Sequence, residues 1–156
     1  MIPALKLLHI AAVILFLGNI VTGLFWHAHA ARSRDPRFLA HAMEGIIRSD
    51  RLFTMPGVTV IVAAGVALAI LEGLPMLRTA WIAWALLLLV VSGLVFMLRV
   101  APLQRQLLAM ATEGSRSGSF DFARYRSRAH AWEAWGAAAL LTPLGGLALM
   151  AFKPAW

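Results

Sequence analysis

A chain of 156 residues that is 61% hydrophobic and only 13% charged has too little polar surface for an ordinary solvated globule, and it has room for one bundle with its loops. The formal net charge of +7 does not signal nucleic-acid binding, because the arginines cluster at the edges of apolar runs and leave no basic soluble module. The absence of cysteine excludes disulfides, iron–sulfur clusters and thiolate metal sites, so any metal is held by His, Met, carboxylate or a porphyrin.

The apolar residues gather in four runs, Leu7 to Trp26, Val58 to Leu71, Ala80 to Leu98 and Ala134 to Phe152, each approaching the roughly 20 residues of a bilayer-spanning helix. This predicts an all-α integral membrane protein, a four-helix up-down bundle with amphipathic or extended cytoplasmic helices. A single transmembrane domain covers residues 1–156, with spans at 3–27, 54–73, 79–100 and 130–152. The first run opens on a lone Lys6, exceeds the roughly 7–15 apolar residues of a signal core and continues into helix-forming sequence, so it reads as a retained span.

Within the first helix His9 stands about two turns in, one turn after Lys6. Gly18 and Gly23 give it small faces, Asn19 and Thr22 are polar positions inside it, and His27 and His29 stand at its exit. From Pro36 to Phe53 the apolar residues Phe38, Leu39, Met43, Ile46 and Ile47 recur near helical spacing, which suits an amphipathic helix lying at the interface or extending the second span. Pro56–Gly57 predicts a kink or break at the start of that span. Glu72 at its far end is placed to pair with Lys6, Lys153 or His9. Leu103 to Thr112 continues the third helix, Gly114 to Ser119 reads as a hairpin tip, and Ser119 is placed to cap the fourth helix with Asp121 in its first turn. Trp26, Trp81, Trp84, Trp132, Trp135 and Trp156 read as aromatic anchors near span ends, and Gly65 to Ala69 and Gly136 to Ala139 as close-approach surfaces.

Arg32, Arg34, Arg37, Arg48 and Arg51 follow the first run, and Arg99, Arg105, Arg116, Arg124, Arg126 and Arg128 follow the third, whereas Lys6, Arg78 and Lys153 fall on the other side. The positive-inside rule then puts both arginine-rich connections in the cytoplasm and both termini outside a bacterial inner membrane.

Polar residues within spans are costly in hydrocarbon and so carry the functional expectation. His9 lies at the outward level, as a carbonyl-bonded interfacial group, a haem or metal ligand, or a proton-handling group. Asn19, Thr22, His27, His29, Asp50, Thr54, Arg99, His130 and Glu133 gather at the inward level. There they form either a carboxylate–arginine interface, with Asp50 and Glu133 neutralised by Arg99 or Arg128, or a metal or haem site. His9 and His130 stand about 20 Å apart along the bundle axis and cannot ligate one haem together. A bis-histidine haem would need His130 with His27 or His29. If His9 is the ligand, its trans partner is of another type, such as methionine, or the position is open.

Lys6-Leu7-Leu8-His9, Gly18-Asn19, Asp50-Arg51-Leu52-Phe53-Thr54-Met55-Pro56, Trp132-Glu133-Ala134-Trp135-Gly136 and Leu149-Met150-Ala151-Phe152-Lys153-Pro154 resemble, nearly end to end, the bacterial membrane family called domain of unknown function 2269. That resemblance implies four helices and inner-membrane residence without a reaction. More remotely, the Lys-x-x-His opening resembles HemJ-type protoporphyrinogen oxidases and CopD-like copper-resistance proteins. In the former a first-helix histidine ligates haem, a role that maps onto His9. Ala80 to Leu98 has no lysine where those oxidases carry one, which separates oxidase activity from the porphyrin binding the resemblance implies. Met76 and Met150 are too separated to suggest copper transfer.

The reading that results is a b-type haem-binding, redox-active membrane protein with His9 as axial ligand, exchanging electrons with a membrane quinone or another membrane redox partner. The lipid bilayer is its partner, nucleic acid is not, and a homo-oligomer is compatible with the small-residue faces. The alternative is a non-enzymatic membrane subunit or small transporter component that docks a partner through its basic cytoplasmic loops.

Overall fold

A computed structural model describes residues 1–154, and every regular element among them is helical. The α-helices are α1 (Ile2–Ala31), α2 (Pro36–Ser49), α3 (Met55–Leu71), α4 (Ala80–Val95), α5 (Ala101–Ser117) and α6 (Phe122–Phe152). Single π-helical turns, Asp50–Thr54 and Phe96–Val100, join α2 to α3 and α4 to α5. The result is four rods, Ile2–Ser33, Pro36–Leu71, Ala80–Ser117 and Phe122–Phe152, each long and apolar enough to cross a membrane. Short connections make consecutive rods antiparallel.

The rods are longer than a bilayer requires. Pro36–Leu71 has 36 residues, about 54 Å of helix against a hydrocarbon core of roughly 30 Å. The surplus is α2 and α5, whose sequences are amphipathic. Leu39, Met43 and Ile46 of α2 are buried with Leu107 and Ala111 of α5, while Arg37, Arg48, Arg105 and Arg116 stay exposed. Thus α2 extends the second rod and packs on α5; it does not lie flat at an interface.

Beyond Pro3 and Pro36, which lie in the first turns of their rods, three prolines lie in rod interiors and each lacks a backbone donor. Pro56 and Pro102 each occupy the second position of the α-helix that follows a π turn. There Met55 N–H donates to the Asp50 carbonyl and Ala101 N–H to the Phe96 carbonyl, i→i+5 bonds that widen the turn ahead of the ring. The break expected at Pro56–Gly57 is therefore a π turn in an unbroken rod. Pro143 is buried inside α6 and cannot donate to the Ala139 carbonyl four residues earlier. Ser92 of α4 supplies the missing donor, its hydroxyl giving a 2.7 Å hydrogen bond to that oxygen.

The connections follow from local chemistry. Asp35 caps α2 by accepting the Arg37 N–H at 2.8 Å, and hydrogen bonding from Arg37 holds its carboxyl below the usual carboxylate range. The hairpin after α5 is tighter than the glycine- and serine-rich sequence suggests. The helix runs through Ser117 and stops at Gly118, whose φ of 69° is left-handed. Asp121, not Ser119, caps α6, accepting Arg124 N–H at 2.9 Å.

Packing differs between the ends of the bundle. At the arginine-rich end Leu39, Met43, Leu107, Ala111, Tyr125, Ala129 and Trp132 form a continuous core. At the other end α1 packs on α3 and α4 on α6, without close approach of α3 to α4 or α6. The two pairs diverge there, and a cavity opens between them.

Candidate functional site

The cavity has a volume of about 550 Å3, in the range of cofactor sites. Its walls are apolar side chains of α1, α3, α4 and α6, among them Phe16, Ile61, Leu89 and Leu147. His9 is the histidine on that wall. Its Nδ1 lies 3.0 Å from the Ile61 carbonyl oxygen, which only accepts, so the neutral ring carries its hydrogen on Nδ1 and keeps a lone pair on Nε2. Gly65 makes this possible: a Cβ there would stand 3.1 Å from His9 Cε1 and 3.4 Å from Nδ1. A close-approach glycine thus seats an imidazole, not a helix backbone.

Charges ring the mouth. Lys6 Nζ meets Glu72 Oε1 at 2.6 Å, and this hydrogen bond holds the Glu72 carboxyl below the usual carboxylate range. Lys153, at left-handed φ, places its ammonium 5.3 Å from the Trp81 ring centroid. Met76 and Met150 also line the cavity.

At mid-bundle a second polar set surrounds Asp50, which is 7% exposed. Asn19 Nδ2 donates to Asp50 Oδ1 at 3.0 Å and Thr54 Oγ1 donates to the same oxygen at 2.9 Å. Gln104 Nε2 donates to Oδ2 at 2.8 Å. The π turn that begins at Asp50 carries Thr54 at its end, so both side chains face α1. Gln104 is a residue that sequence reasoning misses, since a glutamine in an amphipathic segment has no distinguishing pattern; its only signal is the place one helical turn after Arg99-Val100-Ala101.

A third set, nearer the arginine-rich end, centres on His27 and Tyr125, both 0% exposed. The Tyr125 hydroxyl lies 3.1 Å from His27 Nε2, and the Trp132 ring packs edge-on to the imidazole at 4.8 Å between centroids. Glu133 Oε1 stands 3.3 Å from His27 Nδ1, within ion-pair range but without hydrogen-bond geometry, and takes a 2.9 Å hydrogen bond from Arg126. A family model described as a predicted integral membrane protein, DUF2269, matches residues 3–154. The chain belongs to the DUF2269 family. Comparisons with curated proteins and with solved structures give no match.

The remaining anticipated residues of this DUF2269 protein lie apart. His130 is exposed on α6 and His29 is exposed beside Phe25 and Trp26, so neither joins His27. Arg99 is exposed as well, with its guanidinium 5.3 Å from the Trp135 ring centroid. The expected neutralisation by Arg99 or Arg128 is thus replaced: Arg126 pairs with Glu133, and Asp50 has no cationic partner among the described residues. Of the tryptophans, Trp132 is 2% exposed and belongs to the His27 core, where helix arithmetic had put an interfacial anchor. Trp156 lies outside the described residues. The protein is an integral, multi-pass membrane protein with four candidate spans.

Proposed function

We propose that this DUF2269 protein binds b-type haem in the cavity beside His9 and uses it to exchange electrons with a membrane quinone. The observation that carries the reading is the His9–Ile61 hydrogen bond on the wall of an apolar, cofactor-sized cavity. A backbone carbonyl that claims Nδ1–H orients the imidazole and leaves Nε2 as the donor atom for an iron.

The rest of the cavity suits an amphipathic ring. Apolar walls suit its body, and Lys153 at the mouth, beside the Lys6–Glu72 pair, offers a cation to peripheral carboxylates. Met150 and Met76 are the soft side chains on the same cavity wall that would be available, with His9, to hold such a group. Haem, when bound, supplies one-electron chemistry. The chain's task is to hold the ring, fix the imidazole and keep the site dry. The arginine distribution supports an orientation with the cavity opening on the outer side of a bacterial inner membrane.

The test is a visible absorption spectrum of detergent-purified protein titrated with haem. A Soret band that His9→Ala abolishes and His130→Ala leaves unchanged supports the reading. No Soret band after supplementation rejects it in favour of a non-enzymatic membrane subunit.

A further inference from the structure

Asp50 is the buried carboxylate of this protein that has no counter-ion. Isolating such a charge in the bundle costs several kcal/mol by general solvation estimates, so a charged partner, a metal cation or a proton is favoured there. No Lys, Arg or His lies within ion-pair range among the described residues. A metal cation is poorly served. Asn19 Nδ2 donates to both Asp50 Oδ1 and Thr54 Oγ1, at 3.0 and 2.9 Å, and the Thr54 hydroxyl donates to Oδ1, so these oxygens already face hydrogen-bond donors. No group of three or more His, Cys, Asp or Glu residues gathers anywhere among the described residues. A proton fits with no more than a rotation of the Gln104 amide.

The neighbours can serve both protonation states. With the carboxylate ionised, Asn19 and Thr54 donate to Oδ1 and Gln104 Nε2 to Oδ2. With a proton on Oδ2, a half-turn of the Gln104 amide exchanges Nε2 for Oε1, and the new O–H donates where it formerly accepted. The O–H bond formed at Oδ2 is balanced by one broken in a hydronium ion. We propose that Asp50, Asn19, Thr54 and Gln104 form a proton-exchange site, in which Asp50 binds and releases the proton and the Gln104 amide turns over to follow it.

The place in the fold gives the site mechanical reach. Asp50 opens one π turn, and Gln104 follows the other by one helical turn. Asn19 adds α1, so a single proton changes the hydrogen bonds that tie three of the four rods together. Other charges do not interfere. Asn19 and Thr54 are the polar groups that α1 and the turn itself present, α3 presents no titratable side chain, and Arg48, Arg51 and Arg105 are exposed. His27, two turns further along α1, is bonded to Tyr125. The inference does not depend on haem.

Asp35, Asp50 and Asp121 are the only aspartates in the chain, so an Asp35→Asn/Asp121→Asn double variant leaves the site untouched with one aspartate in the protein. Infrared difference spectra of this variant, carrying isotope-labelled aspartate in proteoliposomes, are recorded as a function of pH. The expected result is a labelled protonated-carboxyl band whose midpoint differs from the free-aspartate value of about 3.9 by at least about one unit, tenfold in proton affinity. Gln104→Leu is expected to shift both band and midpoint. The proposal is overturned by no labelled band over the pH range in which the fold persists, by the free-aspartate midpoint, or by a Gln104→Leu titration identical to the parent. A midpoint that moves with sodium at constant ionic strength overturns it too, since a metal cation would then hold the site.

Discussion

Gly65 is the sharpest test of how the cavity positions His9. In Gly65→Ala the new Cβ would lie 3.1 Å from Cε1 of the imidazole, closer than ordinary van der Waals contact, so the ring must move by a few tenths of an ångström. That motion strains the 3.0 Å bond to the Ile61 carbonyl, an interaction worth about 0.5–1.5 kcal/mol net. Alanine in a helix interior returns roughly 0.8–1.0 kcal/mol relative to glycine. The two nearly cancel, so thermal stability in detergent is expected to change by less than about 1 kcal/mol. Haem binding has no such compensation. Gly65→Val adds two further methyl groups against the ring, and its haem dissociation constant, read from the Soret titration, is expected to rise at least about tenfold, or about 1.4 kcal/mol. If Gly65→Val binds haem with unchanged affinity and an unchanged spectrum, His9 is not the axial ligand and the reasoning fails.

Three further outcomes follow from the packing. Tyr125→Phe removes the partner of a fully buried His27 Nε2, and an unfolding assay should show a loss of about 1–3 kcal/mol; unaltered stability would mean the imidazole finds another partner. Ser92→Ala leaves the Ala139 carbonyl, which Pro143 cannot satisfy, with only the long 3.5 Å hydrogen bond from the Thr142 hydroxyl and should cost about 0.5–1.5 kcal/mol, whereas restoring the intrahelical donor with Ser92→Ala/Pro143→Ala should recover part of it. Glu72, held below its ordinary carboxylate range by Lys6, contributes stability that is present above the unfolded value near 4.3 and is lost as pH falls through the folded value. The stability difference between wild type and Glu72→Gln should therefore shrink to nothing in acid. A difference independent of pH would show that the pair does not hold the mouth.

The sequence by itself determined the class of fold, because the hydrocarbon layer leaves little choice. Apolar runs of this length satisfy their backbone only as helices, and the spacing of Leu39, Met43 and Ile46 marks one face of α2 as buried. It also brought Asn19, Asp50 and Thr54 to one level, since helix rise and connection lengths fix depth along an axis. Rotation about that axis is what counting residues leaves open. His130 and Arg99 have the right depth for an inward polar site, yet both are exposed, while Gln104 and Tyr125, unmarked by any motif, turn inward. The two π turns are part of the reason: each inserts an extra residue into a rod and resets the faces beyond it, and a proline reads as a break until the turn before it is seen. Tertiary structure alone decided that the rods close at one end and part at the other, because that depends on which faces meet across the bundle. His9, a polar residue in an apolar helix, thereby became an oriented imidazole on a cavity wall.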